Sequence, residues 1–370
     1  MAQPGRNPPP RDARALQPAR TGRATSCPHA DSGCCRGGVL PRGRERRARS
    51  ADPAERGSSR GRLRGDPRDQ PLRDLLRGIR AGQPGRAHVA GASPVTSYAS
   101  HVEVPTSLGS LSVQDGGPAD GAVALLWPSL FSDGATSWGS QLAVLHDLGW
   151  RTLLVDPPGA GQSPPASRPF TMEDCARAAV DVLDIAAVDR AALLGLSWGG
   201  FVALRVALAE PDRVMGLVLS NSSARRAPAM LQLRDRLAAH LLRTGLLRSP
   251  GKLIASGMLS MQSRRVCPEL VADVANTVNT MDAKGLAIAM RSVLVDRTDI
   301  VDALPKITAP ALVIAGAEDA ALPIDHSTQL AAGIHGARLE TLAGVAHLAP
   351  LEAPEPVSAL LRDFLATLDR

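Results

Sequence analysis

Aromatic residues are scarce in this 370-residue chain, which has 4 Trp, 1 Tyr and 4 Phe, and none of them precedes Tyr98. A leading stretch without aromatics and rich in Arg, Pro and Gly cannot bury enough apolar surface to offset the entropy of ordering it. Residues 1–95 are therefore expected to be a disordered tail. Lysine is nearly missing, with 3 Lys against 39 Arg, a bias that points to GC-rich coding rather than function. Cysteine is sparse (Cys27, Cys34, Cys35, Cys175 and Cys267) and lacks the paired C-x-x-C spacing of a zinc site, which fits reduced thiols in the cytoplasm. No apolar run reaches the roughly 18–20 residues that a membrane-spanning helix requires. A phosphate-cradling G-x-x-x-x-G-K-S/T and a dinucleotide-binding G-x-G-x-x-G are both missing, so neither metal nor organic cofactor is expected.

The net charge of +6 hides two regions of opposite sign. Residues 1–95 hold 20 Arg and 8 acids, a net of +12, whereas residues 96–370 hold 22 basic and 28 acidic residues, a net of −6. Within the tail, Leu72, Leu75, Leu76 and Ile79 recur at helical spacing with Arg73, Arg77 and Arg80 beside them. That pattern suits a short basic amphipathic helix of the kind found in transit signals or on anionic membranes. The stronger reading is a leader created by a start codon assigned too far upstream. Nucleic-acid binding is disfavoured because no aromatic interleaves the arginines to stack bases. The expected protein is thus a body spanning 96–370 with no nucleic-acid or membrane partner, large enough for one domain carrying an insertion.

In the body, His101-Val102-Glu103-Val104 and Leu111-Ser112-Val113 alternate like a hairpin, and Asp115-Gly116-Gly117 supplies a turn. Then come short continuous apolar runs at 123–126, 152–155, 192–194, 214–219 and 311–314, which read as central strands of a parallel sheet covered on both faces. Helical stretches separate them, including 171–187, 199–209 and a last one near 357–368. Such alternation means an α/β fold. From about 225 to 305 the alternation stops, and Leu233, Leu237 and Leu241 recur at helical spacing among Arg234, Arg236 and Arg243. This interval is expected to be a helical cap over the edge of a core formed by 96–224 and 306–370, its Leu and Met residues divided between cap core and an apolar cleft.

A bare G-x-S-x-G is weak, since a chain with 34 Gly in 370 residues contains one by chance in roughly one case of four or five. Gly57-Ser58-Ser59-Arg60-Gly61 is such a match, but no strand precedes it and no helix follows, which leaves Ser59 unsupported. Gly195-Leu196-Ser197-Trp198-Gly199-Gly200 has both, following the apolar run 192–194 and entering Phe201-Val202-Ala203-Leu204. Small flanking residues permit a sharp turn that lifts the Ser197 oxygen above the sheet and aims a helix N-terminus at it. A base and an orienting acid should follow from later strands. Residues 311–314 lead to Glu318 and Asp319, with Asp319 the acid and Glu318 its alternate; a strand at 337–343 then leads to His347. His146, His240, His326 and His335 read as helix or surface residues.

With Ser197, Asp319 and His347 in that order, residues 101–370 resemble the α/β-hydrolase fold superfamily, in its helical-cap branch and close to enol-lactonases of the 3-oxoadipate type. Trp150 through Ser163, with Asp156-Pro157-Pro158-Gly159-Ala160-Gly161, resembles the family's D-x-R-G-x-G-x-S strand and turn. The resemblance implies Ser197 as nucleophile, Asp319 as orienting acid, His347 as base and Asp156 as a turn former. The chain departs from the family at Trp127-Pro128-Ser129-Leu130, where H-G-x is common, although the enol-lactonases carry a similar N-S-L. Aligned so, Leu130 and Trp198 supply the oxyanion N–H groups, with Phe131 an alternative to Leu130; Pro128 has no N–H to give. The implied activity is hydrolysis of a small-molecule carboxylic ester or lactone. The same fold also admits a lyase, a cofactorless peroxidase or a slow-turnover ligand sensor.

Overall fold

The computed structural model describes residues 101–369. The expectations placed on residues 1–95, including Ser59 and the helix around Leu75, lie outside them. Eight strands form one sheet in the order β1-β2-β4-β3-β5-β6-β7-β8. They are β1 (His101–Thr106), β2 (Gly109–Gly116), β3 (Ala122–Trp127), β4 (Trp150–Asp156), β5 (Ala191–Leu196), β6 (Val214–Ser220), β7 (Ala311–Gly316) and β8 (Arg338–Leu342). The β1–β2 and β2–β4 pairs are antiparallel, and every later pair is parallel. The hairpin turn falls at Ser107 and Leu108, closed by Gly109 at φ 101°, a backbone angle that favours glycine.

Each apolar run serves both faces of the sheet. Along β3, Val123, Leu125 and Trp127 enter one core, while Ala124 and Leu126 enter the other. The first core packs against α2 (Met172–Ile185) and α3 (Trp198–Ala209), and the second against α1 (Gly134–Asp147) and α11 (Pro354–Leu365). This two-sided burial is why the central strands read as unbroken hydrophobic runs. α2 starts at a reciprocal cap: Thr171 Oγ1 accepts from the Asp174 N–H at 3.0 Å, and Asp174 Oδ2 accepts from the Thr171 N–H at 2.9 Å. α11 starts three residues before the expected 357, at Pro354, because the first helical turn needs no N–H partner and so accepts both Pro354 and Pro356.

Between β6 and β7 lie α4 (Ala229–Arg243), α5 (Gly251–Met258), α6 (Met261–Val266), α7 (Pro268–Thr280) and α8 (Ala283–Met290), the last running into a π-turn at Arg291–Val295. The helical spacing of Leu233 and Leu237 is as expected, yet neither belongs to a core. Both are exposed, and α4 buries Gln232, Asp235, Ala239 and Leu242 instead. After β7 come α9 (Ile324–Gly333), β8 and the short α10 (Ala349–Glu352). Among the described residues no helix is long and apolar enough to cross a membrane.

Candidate active site

β5 is buried along its whole length and delivers the chain to Ser197, where α3 begins at once. Ser197 has φ 53° and ψ −105°, a left-handed conformation that costs a non-glycine residue about 1–3 kcal/mol unless its surroundings impose it. They do. Its N–H donates to the Ser220 carbonyl at 2.9 Å, and its own carbonyl accepts from the N–H groups of Gly200 (3.0 Å) and Phe201 (3.2 Å). Ser222 Oγ donates to the same carbonyl at 3.1 Å. The flanking glycines permit close approach: a Cβ at Gly195 would collide with the backbone of Gly199 and Gly200, and one at Gly199 with the Trp127 carbonyl. The Trp198 indole stacks on Phe170 and meets the edge of Trp127, each at 5.8 Å between centroids, which anchors the first turn of α3.

The loops after β7 and β8 bring the other two predicted residues to this point. His347 Nε2 lies 3.0 Å from Ser197 Oγ, and His347 Nδ1 lies 2.8 Å from Asp319 Oδ2. A carboxylate only accepts, so Nδ1 carries the proton and Nε2 is left to accept from the serine hydroxyl. All three residues are buried. Burial raises the Asp319 pKa, but the facing His347 and hydrogen bonds from the Leu322 N–H and the Asn221 amide outweigh it and leave the carboxyl below its ordinary value. Asp319 Oδ1 accepts from the N–H groups of Ala321 and Leu322, each at 2.9 Å. Glu318, the alternate acid, is exposed, and it is Asp319 that meets His347 Nδ1.

Two residues that the sequence reading did not single out hold this row in place. Asn221 Nδ2 donates to Asp319 Oδ2 and to the Ala346 carbonyl, both at 2.9 Å, joining the acid to the loop that carries His347. Its signal in the sequence is the polar run Ser220-Asn221-Ser222-Ser223 at the carboxyl end of an apolar strand, where parallel sheets place their chemistry. Glu352 Oε1 accepts from the N–H groups on either side of His347, Ala346 at 3.1 Å and Leu348 at 3.2 Å. Its Oε2 accepts from the Ser260 N–H and Ser263 Oγ, both at 2.8 Å, tying the histidine loop to the helical insertion. The His347 N–H also donates to the Met258 carbonyl at 3.0 Å.

The loop after β3 is pressed against the same helix N-terminus. The Pro128 carbonyl accepts from the Gly199 N–H at 3.2 Å, and a turn closes from the Ser132 N–H to the Ser129 carbonyl at 3.3 Å. Leu130 and Phe131 are the central residues of that turn, so their N–H groups are left out of its closing bond. Among the described residues, the N–H groups of Leu130, Phe131 and Trp198 have no protein acceptor. Asp156 sits behind the loop, accepting from the Gly134 N–H at 3.0 Å and the Gln162 N–H at 2.9 Å. It organises the turn and is not the partner of His347. Its burial raises its pKa, against the pull of those two N–H groups. Among the described residues, no three His, Cys, Asp or Glu side chains converge as a metal-binding group.

Comparison with known proteins agrees with this architecture. The chain is 33% identical over 258 residues to RutD of Variovorax paradoxus strain S110, to which carbamate hydrolysis is provisionally ascribed; the match spans 68% of this chain and 94% of that protein. Among solved structures, a thermophilic esterase from Thermogutta terrifontis superposes with a TM-score of 0.66 at 26% identity, covering 72% of this chain and 98% of the esterase. The enol-lactonase from Burkholderia xenovorans LB400 superposes with a TM-score of 0.64 at 25% identity, covering 70% of this chain and 96% of the enol-lactonase. Residues 126–354 match the family described as the alpha/beta hydrolase fold, and with the eight-stranded sheet and its connections the chain belongs to that family.

Proposed function

We propose that this α/β-hydrolase cleaves a small-molecule carboxylic ester or lactone through an acyl-enzyme on Ser197. The observation that carries the reading is the unbroken row Ser197 Oγ, His347 imidazole, Asp319 carboxylate, with separations of 3.0 and 2.8 Å. Ser197 Oγ attacks the substrate carbonyl while its proton passes to His347 Nε2, and Asp319 stabilises the imidazolium that results. The tetrahedral oxyanion is met by the N–H groups of Trp198 and of Leu130 or Phe131, and each such donor is worth about 2.7–4 kcal/mol in the transition state. Collapse expels the alkoxide, which takes the proton from Nε2. Water then gives a proton to Nε2 and attacks the acyl carbonyl; collapse of this second intermediate breaks the bond to Ser197 Oγ, which takes the proton back from Nε2, and the carboxylic acid is released. In a lactone the alkoxide and acid belong to one molecule, so the product is a single hydroxy acid.

An ester or lactone fits the site because a neutral carbonyl with an oxygen leaving group needs one nucleophile, one shuttling proton and an oxyanion cradle. A relative and two structural neighbours are named for carbamate, ester and enol-lactone chemistry, and each of these substrate classes carries an acyl carbon with a heteroatom leaving group. The helices between residues 225 and 305 are read as a cap that shapes the acyl pocket. The test is turnover of a series of aryl esters and lactones of graded size by the purified chain and its Ser197→Ala variant. Rapid turnover lost by at least three orders of magnitude, about 4 kcal/mol of transition-state stabilisation, supports the reading. Ligand binding without turnover by the unaltered chain contradicts it.

A further inference from the structure

α4 is inverted relative to an ordinary surface helix. Its buried residues Gln232, Asp235, Ala239 and Leu242 share one face, so at the helical period Met230, Leu233 and Leu237 point directly away from the body, at 75%, 61% and 57% exposure. Arg234 flanks this stripe on one side; Arg236, His240 and Arg243 flank it on the other. The buried polar groups are satisfied: Gln232 Nε2 donates to the Ala227 carbonyl at 2.6 Å, and Asp235 pairs with Arg234 at 2.8 Å. The outward aliphatic face is thus a settled feature of the fold. Neighbouring parts of the insertion repeat it, with Leu246, Leu253, Met261 and Val266 exposed by 57–74%.

The segment that carries the stripe is also basic, although Arg225 is engaged by Asp325 and Gln329. Residues 225–266 hold nine basic residues and one acid, Asp235, whereas the remainder of 96–370 holds 13 basic and 27 acidic residues. We propose that this face of the helical insertion docks on an anionic phospholipid surface, the aliphatic stripe entering the headgroup boundary and the flanking arginines meeting lipid phosphates. Leucine and methionine bordered by arginines whose stems lie along apolar surface are the composition of an interfacial helix. A second copy of the chain is disfavoured, because the arginines beside the stripe, Arg234, Arg236 and Arg243, would face their own copies. A protein partner is disfavoured by the lack of any Trp, Tyr or Phe in 225–266, the aromatics that anchor protein interfaces. The inference departs from the expectation of no membrane partner, which rested on the absence of a spanning helix.

The test is flotation of the full chain with phosphatidylcholine vesicles, with and without phosphatidylglycerol. The basic segment 1–95 is retained, so the comparison is between the unaltered protein and a Leu233→Glu, Leu237→Glu double variant. Both sites are exposed, so the melting temperature should not change. The expected result is binding that requires phosphatidylglycerol and is about ten-fold weaker in the variant. A Leu237→Trp variant gives a second readout against four buried native tryptophans: its emission should shift to the blue on phosphatidylglycerol vesicles. Equal binding by the double variant would assign any attraction to residues 1–95 and overturn the proposal. So would failure of the unaltered chain to float, or a dimer in sedimentation velocity that the double variant abolishes.

Discussion

Asn221 donates its side-chain amide to Asp319 Oδ2 at 2.9 Å and, with the other hydrogen, to the carbonyl of Ala346, the residue before His347. One amide group therefore sets both the direction of the acid and the position of the loop that carries the imidazole. Asn221 has φ 46°, and asparagine is among the few non-glycine residues that tolerate this region. An Asn221→Gly variant can adopt that backbone angle and loses the side-chain hydrogen bonds to Asp319, Ala346 and Ser220. A hydrogen bond to a charged group is worth about 1.5–3 kcal/mol, so kcat on an activated ester should fall about 10–100-fold with KM changed little. Steady-state kinetics check it, and an unaltered kcat would reduce Asn221 to a packing residue.

The closeness of the Ser197 turn to the loop after β3 makes a contrast between two glycines. A Cβ at Gly199 meets the Trp127 carbonyl, whereas a Cβ at the helical Gly139 meets nothing within 4 Å. Gly199→Ala should destabilise the fold by about 1–3 kcal/mol and push the loop after β3 away from the Ser197 turn. Gly139→Ala should stabilise it by about 0.5–1 kcal/mol, since alanine is the better helix former. Urea unfolding of both variants checks the pair.

Asp319 also links stability to pH. Its carboxyl sits below its ordinary value in the folded chain, so the unfolded chain binds the proton more readily. The contribution to stability is present above the unfolded value near about 4 and is lost as pH falls through the folded one. An Asp319→Asn variant should therefore lose stability near neutral pH and show a flatter decline on acidification than the unaltered chain. Unfolding midpoints measured across the acid range check it, and parallel profiles would contradict the assignment.

Much of this arrangement is legible in the sequence, for physical reasons. Strands buried on both faces must be apolar throughout, so β3 to β7 announce themselves, and the sharp turn at Ser197 needs small neighbours, so its glycines do too. Asp319 and His347 follow from the order of strands, since each stands just beyond a strand's carboxyl end. Asn221 and Glu352 are not legible in the same way. Their bonds cross between segments far apart in sequence, Asn221 to Asp319 and Glu352 to Ser260, and no local pattern encodes a partner at that distance. The direction of the α4 leucines is hidden for a related reason: spacing defines a face but not which side the body occupies.

The most direct test of the central claim is covalent. A fluorophosphonate reacts with a serine whose hydroxyl is deprotonated by a neighbouring imidazole, and the 3.0 Å separation of Ser197 Oγ and His347 Nε2 supplies that condition. Peptide mass spectrometry after labelling should place the phosphonate on Ser197, with labelling lost in folded Ser197→Ala and His347→Ala variants. Labelling at another serine, or undiminished labelling of Ser197→Ala, would contradict the account.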